Sequence, residues 1–327
     1  MTQTEGFTLA DSAKIEQHRQ TVSDLSKPGE ALAKDSANVT VRNPSWFTEV
    51  EPGSWVATAE RQRLHDRLKS EFLTAVPLVR ADRRALILAG PPGAGKSTLL
   101  GQVLEGKLEH YVVIDADEFK ESLLREAQDD GSYEAWIKPR TVKDLEARGE
   151  EFFPMDLATL VHEESSILAA QLRSDCIALG YNLVVDKVLS SVKPAQQLMR
   201  ELDAARFSVQ IIEAHVPYEV SKQRITERWE QSHEASLDGE DDLGARWVPY
   251  EFAREVFQGP EGKSKPEAVA EQLANECPAV RRYRVYRTTD EQMDGSQGYG
   301  QLRSDFRRAE RGAPLVESEV AGQAERR

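Results

Sequence analysis

The residues Gly90-Pro91-Pro92-Gly93-Ala94-Gly95-Lys96-Ser97 have the types and spacing that hold a chain of phosphates. They fit the pattern G-x-x-x-x-G-K-[ST]. Glycines allow successive backbone N–H groups to converge on one anion without a side chain in the way. The lysine then reaches the outer phosphates, and the serine hydroxyl is suited to Mg²⁺. With Thr98 on the first turn of the following helix, these residues predict a nucleoside triphosphate site whose metal ligand is Ser97.

Further chemistry-bearing residues follow in order. Asp115-Ala116-Asp117 places two acids just past an apolar run, where each can serve Mg²⁺ or take a proton, or one of them can cap a helix. Asp186 closes another apolar run and is a second candidate for Mg²⁺. A later helix carries Lys222, Arg224 and Arg228, and Arg246 follows an acidic loop. Guanidinium forks suit the spreading charge of a phosphoryl transition state. His162-Glu163-Glu164-Ser165 fails to complete H-E-x-x-H, so a zinc protease is unsupported. His65 lies among charged residues and reads as solvated, His215 reads as a hydrogen-bonded structural histidine, and Cys176 reads as a buried apolar group.

Elements of the required kind surround these residues. Ala85–Ala89 reads as a buried strand and Thr98–Leu104 as a helix, so strand, glycine loop and helix come in order. Tyr111–Ile114, Asn182–Asp186 and Val209–Val216 read as further strands alternating with helices, and Arg282–Tyr286 as a last one. The expectation is an α/β fold of the P-loop NTPase or kinase type, a parallel sheet with helices on both faces. Leu64, Leu68, Phe72 and Val76 predict a helix over residues 60–79, and Leu157 through Cys176 an apolar stripe along one long helix. Residues 1–44 are polar and read as a mobile or loosely docked extension with a weak helix over Leu9 to Leu32. Residues 45–290 form the domain, and 291–327 a flexible charged tail.

Composition narrows the partners. The 327 residues carry 42 Lys and Arg against 56 Asp and Glu, a net charge of −14, which opposes nucleic acid as a ligand. Two distant cysteines support neither a disulfide framework nor a cysteine zinc site. The start lacks the basic and apolar stretches of a signal peptide, and no run is long enough to span a membrane; a cytoplasmic protein is expected.

Taken in order, these pieces resemble the zeta toxin family, kinases of toxin–antitoxin systems that phosphorylate UDP-activated amino sugars. The likeness spans roughly residues 60–290. It rests on Gly90–Ser97, on Val113-Ile114-Asp115-Ala116-Asp117-Glu118-Phe119-Lys120, on Gly180-Tyr181-Asn182-Leu183-Val184-Val185-Asp186, on Val216-Pro217 through Ile225-Thr226-Glu227-Arg228-Trp229-Glu230, and on Ala245-Arg246. The resemblance implies that Lys96 holds the phosphates of ATP and Ser97 the Mg²⁺. It implies that Asp117 is the general base toward a sugar hydroxyl, that Arg228 and Arg246 clamp the triphosphate, and that Asp186 belongs to the catalytic set. ATP rather than GTP also fits the absence of Asn-Lys-x-Asp.

The chain departs from the family in two places. Where the family's third strand commonly ends Glu-Gly-Thr, it has Asp186-Lys187-Val188, and Ala170 falls in register with the family's substrate-binding Glu, with Glu163 and Glu164 a turn or two earlier. Three outputs stay open: a kinase of a nucleotide sugar resembling UDP-N-acetylglucosamine, a kinase of another nucleotide-like acceptor such as NAD, or a regulatory ATPase acting on a protein partner. An interaction protein in which residues 1–44 or the tail engages an antitoxin or a second copy of the chain is a further expectation.

Overall fold

The computed structural model describes residues 9–186, 189–288 and 300–318. Its helices in chain order are α1 (Leu9–Leu25), α2 (Ala59–Thr74), α3 (Lys96–Leu104), α4 (Ala116–Asp129), α5 (Arg140–Glu146), α6 (His162–Leu179), α7 (Val192–Ala204), α8 (Tyr218–Leu237), α9 (Tyr250–Val256) and α10 (Lys265–Glu276). The strands are β1 (Phe47–Glu51), β2 (Ser54–Ala57), β3 (Arg84–Ala89), β4 (Val112–Ile114), β5 (Leu183–Asp186), β6 (Ser208–His215), β7 (Val280–Arg287), β8 (Gln301–Arg308) and β9 (Leu315–Ser318). The chain divides into two compact units, each of several segments.

One unit comprises Ser70–Asp115, Ala169–Arg224 and the described part of Tyr250–Arg327, and it contains a seven-stranded sheet in the order β4-β5-β3-β6-β7-β8-β9. β4, β5, β3, β6 and β7 run parallel, and β8 and β9 add antiparallel. Every residue of β3 after Arg84 is buried, as a strand covered on both faces requires. Leu86, Leu88, Leu99, Leu100, Leu104 and Ile212 share one core cluster, so the helix after the glycine loop is anchored directly on the central strands. The α/β sheet flanked by helices is the one the alternation predicts.

Residues 301–308 and 315–318 form β8 and β9, where the sequence suggested a flexible tail. Their polarity is misleading because the charges are paired. Arg282 grips Asp305 through two bonds of 2.7 and 2.8 Å, and the buried Arg308 donates to the carbonyls of Val280 and Ala274 at 2.9 and 2.8 Å. The rest of the expected tail, residues 291–299 and 319–327, lies outside the described residues.

The other unit comprises the described part of Met1–Lys69 with Ala116–Leu168 and Ile225–Pro249. It is mostly helical, with β1 and β2 as an antiparallel hairpin. The N-terminal segment is not loosely docked from α1 onward. Ile15 and Val22 of α1, then Leu32, Ala33, Val39 and Val41, are all buried, and each of the larger side chains contributes roughly 1.5–3 kcal/mol. The helix ends at Leu25 rather than near Leu32. Two apolar residues two turns apart sufficed, because His18 and Arg19 on the turn between them are buried as well.

Two helices differ from expectation in their packed faces. In α2 the buried residues are Arg61, His65 and Leu68. Leu157, Leu160 and Val161 are buried as expected but sit in a 3-10 turn, Pro154–Val161, ahead of α6 rather than within one long helix.

Candidate active site

Gly90 follows the C-terminal end of β3, and the loop turns back so that α3 starts at Lys96. Two glycines are required by the packing. A Cβ on Gly90 would meet the Ala214 carbonyl oxygen at 2.7 Å, and one on Gly93, at φ +69°, the Ser221 carbonyl oxygen at 2.8 Å. Pro91, Pro92 and Ala94 are buried, whereas Gly95, Ser97 and Thr98 are exposed at the helix start. The Ser221 hydroxyl donates to the Pro92 carbonyl at 2.7 Å, and Arg224 Nη1 to the Gly93 carbonyl at 3.4 Å, so the start of α8 braces the loop.

Strand register places the acids. β5 neighbours β3 with Asp186 opposite Leu88, and β4 neighbours β5 with Ile114 opposite Val185. Asp115 therefore follows β4 level with Asp186, both at the C-terminal ends of parallel strands. Lys96 Nζ lies 3.6 Å from Asp186 Oδ1 and donates to the Gly90 carbonyl at 3.4 Å. Lys96 and Asp186 are thus brought together, while Lys187 and Val188 lie outside the described residues.

In the helical unit a second charged group forms on α4 and the segment after α8. Asp117, in the first turn of α4, accepts from Arg246 Nη1 at 2.6 Å and from Lys120 Nζ at 2.7 Å, both on Oδ1. Burial pushes the Asp117 carboxyl up, but Arg246 and Lys120 outweigh it and hold the group at about 2. His162, at the start of α6, is driven the other way: burial, then Lys120, Lys34 and Arg246, lower it to about 4, so it is neutral near pH 7. Arg228 is exposed on α8, one turn beyond Arg224.

The residues of the loop fit a triphosphate. A backbone cradle that a Cβ would fill, a lysine at its end and the open N-terminus of a nine-residue helix on one side match an anion. The exposed hydroxyl of Ser97 and the strand-end acids Asp115 and Asp186 are the oxygen donors that Mg²⁺ prefers.

The zeta toxin family model matches residues 73–141 and 144–294, well over half of the sequence. The chain belongs to the zeta toxin family. Among curated proteins none matches. Of solved structures, an AvrRxo1-ORF1:AvrRxo1-ORF2 complex with sulphate ions is similar at 19% identity and TM-score 0.52, covering 82% of this chain and 72% of that one. The same complex with ATP gives 18% identity and TM-score 0.51, over 82% and 71%. A structure of the PezAT toxin–antitoxin system of Streptococcus pneumoniae has 17% identity and TM-score 0.49, over 75% and 82%. The AvrRxo1 likenesses concern the fold.

In this zeta toxin family member, sequence reasoning missed or misplaced several groups. Lys120 was legible: it lies three residues after Asp117 on the same helix and faces it. In the sequence His162 stands out only as the first residue of an incomplete metal motif. His65 is not solvated but fully buried, with Nε2 2.8 Å from Glu164 Oε1. Glu164 is also gripped by Arg61 at 2.5 and 3.0 Å, which makes it a structural acid rather than a surface-facing one. His215 lies 3.8 Å from Glu267, and Cys176 is buried and pushed up to about 12 by that burial, as a core thiol should be.

Proposed function

We propose that this zeta toxin family member is a Mg²⁺- and ATP-dependent kinase that transfers the γ-phosphoryl group to a hydroxyl of a nucleotide-like small molecule, in the first instance a nucleotide sugar. The observation that carries the reading is the glycine cradle at Gly90 and Gly93, closed by Lys96. Such a cradle is built for phosphates, and family membership directs the phosphates toward transfer.

Within this reading the loop residues Gly90 to Thr98 bind the triphosphate through backbone N–H groups, and Lys96 exchanges its Asp186 partner for phosphate oxygens. Ser97 would hold Mg²⁺ with Asp115 or Asp186, and the ion would supply charge neutralisation for the phosphates. The family likeness assigns Arg228 and Arg246 to the triphosphate. Asp117, ionised at every working pH, accepts the proton of the acceptor hydroxyl as the new O–P bond forms and the bond from the γ-phosphorus to the bridging oxygen breaks, with ADP as the leaving group. Its low basicity is no handicap where the transition state is loose, because orientation matters more than proton affinity.

Glu164 does not serve the acceptor, since its carboxylate is spent on Arg61 and His65. That observation favours keeping NAD and other nucleotide-like acceptors beside the nucleotide sugar. An inhibitory protein partner of antitoxin type belongs to the same reading, through the toxin family itself. No helix among the described residues is long and apolar enough to cross a membrane.

The test is incubation with γ-labelled ATP, Mg²⁺ and a panel of UDP-sugars, NAD and related nucleotides, with Asp117→Ala alongside. A labelled acceptor that disappears with Asp117→Ala supports the kinase. Label released only as inorganic phosphate across the whole panel overturns it in favour of a regulatory ATPase.

A further inference from the structure

We propose that His18, Asp156 and His233 form a buried site for a transition-metal ion, Zn²⁺ by donor type, that fastens the N-terminal helix to the helical unit. The three residues come from α1, the 3-10 turn Pro154–Val161 and α8, and all are at least nine-tenths buried. One donor atom from each lies within 4.8 Å of the other two. No pattern in the sequence joins positions so far apart, and the kinase reading uses none of them.

Two details point to a ligand rather than to packing alone. Asp156 Oδ1 and His233 Nδ1 are buried without a hydrogen-bond partner among the described residues. Burying two such atoms unpaired is unfavourable, and both are lone-pair donors. A cation held by the cluster would give such atoms the partner they lack.

The surroundings have the character of a metal site. His18 Nδ1 lies 3.3 Å from Glu150 Oε2, so a carboxylate accepts from one ring nitrogen and leaves Nε2 to donate its lone pair inward. His18 Nε2 is 3.2 Å from Asp156 Oδ2. Donors about 2.0 Å from a tetrahedral Zn²⁺ are about 3.3 Å apart, a separation close to that of the His18–Asp156 hydrogen bond, so the ion would take the place of that bond's proton. Trp229 stacks on His233 with ring centroids 4.8 Å apart, and Phe152 meets His18 edge-on at 4.8 Å, which fixes both imidazoles in an apolar shell. Two imidazoles and one carboxylate suit Zn²⁺, whereas Mg²⁺ and Ca²⁺ prefer all-oxygen sets.

The experiment uses the full chain loaded with ZnCl₂, desalted and measured for metal by mass spectrometry, with Co²⁺ loading as a spectroscopic arm. Expected are about one tightly held Zn²⁺ per chain, visible d–d absorption of four-coordinate Co²⁺, and a higher unfolding midpoint with metal than after chelation. His233→Ala should remove the stoichiometric ion, and Glu150→Gln should weaken its retention against a chelator by about 10- to 100-fold. Because His233→Ala removes buried volume, the wild-type Co²⁺ spectrum decides independently of folding. Absence of both retained Zn²⁺ and Co²⁺ bands in the wild type, or Zn²⁺ retained equally by folded His233→Ala, overturns the site.

Discussion

Arg246 Nη1 rests 2.6 Å from Asp117 Oδ1. Lys120 occupies the same oxygen at 2.7 Å, so one carboxylate oxygen faces two cations. Burial works against the charge, and the cations prevail, leaving the group ionised down to about pH 2. Lys96 beside Asp186 repeats the theme in the sheet unit. In both places a carboxylate occupies the cation that family resemblance assigns to phosphate.

Removing the Arg246 charge should therefore release Asp117 upward. In Arg246→Gln the carboxyl pKa is expected to rise from about 2 by at least about one pH unit, as loss of a neighbouring cation dictates. The sign is fixed: less of the group is ionised near pH 3 than in the wild type. A carbon-13 NMR titration of the Asp117 carboxyl reads this without relying on activity. An unmoved midpoint would assign the depression to Lys120 alone.

Gly93 offers a test of the loop. Gly93→Ala forces a left-handed φ on a residue that disfavours it by about 1–2 kcal/mol and drives Cβ to 2.8 Å from the Ser221 carbonyl. ATP affinity should fall at least about tenfold, since each 1.4 kcal/mol is a factor of ten. Gly101→Ala is the matched control: its Cβ meets nothing within 4 Å and it lies inside α3, so affinity should stay within about twofold. Equal affinities for the two variants would remove the cradle argument.

The parallel sheet and the phosphate loop were legible because both depend on local signals. Buried parallel strands read as apolar runs, and a loop that must admit an anion shows its glycines. The misread elements share one cause, which is charge buried by pairing. Arg61, His65 and Glu164 look like solvent-facing polarity, yet the first two line the buried face of α2 because an acid on α6, about a hundred residues away, pairs with both. Arg282, Asp305 and Arg308 likewise concealed β8. His18 hid the packing of α1, because its partners Glu150 and Asp156 lie more than a hundred residues away. Such partners are set by tertiary proximity, which composition within a window does not carry.

The Arg61–His65–Glu164 group predicts a stability effect with no bearing on catalysis. Glu164→Ala leaves two buried cationic or hydrogen-bonding groups without their acceptor, at about 3–5 kcal/mol. Burial raises the Glu164 carboxyl, but His65 and Arg61 bring it below its ordinary value. Its contribution is therefore present above the ordinary carboxylate range and lost as pH falls through the depressed folded value. Urea unfolding of Glu164→Ala and wild type at pH 7 measures the loss, and a difference under about 1 kcal/mol would show the group to be solvated in solution.

Glu213 on β6 should give the opposite pH dependence. Burial raises its carboxyl to about 7, against the hydrogen bond that Tyr283 donates, with Glu267 and Glu271 adding repulsion and Arg287 opposing them. Its Oε1 is buried and unpaired among the described residues, so nothing there favours the charged form. The folded chain thus holds a proton that the unfolded chain releases near 4.5. Stability from this residue is complete below that value and is lost as pH rises through about 7, on the order of 3 kcal/mol in all. Glu213→Gln mimics the protonated form and is expected to flatten the wild-type decline between about pH 5 and 8. Denaturant unfolding of both proteins across that interval decides it. Parallel slopes would mean that Glu213 is ionised in the folded state and that another group carries the decline.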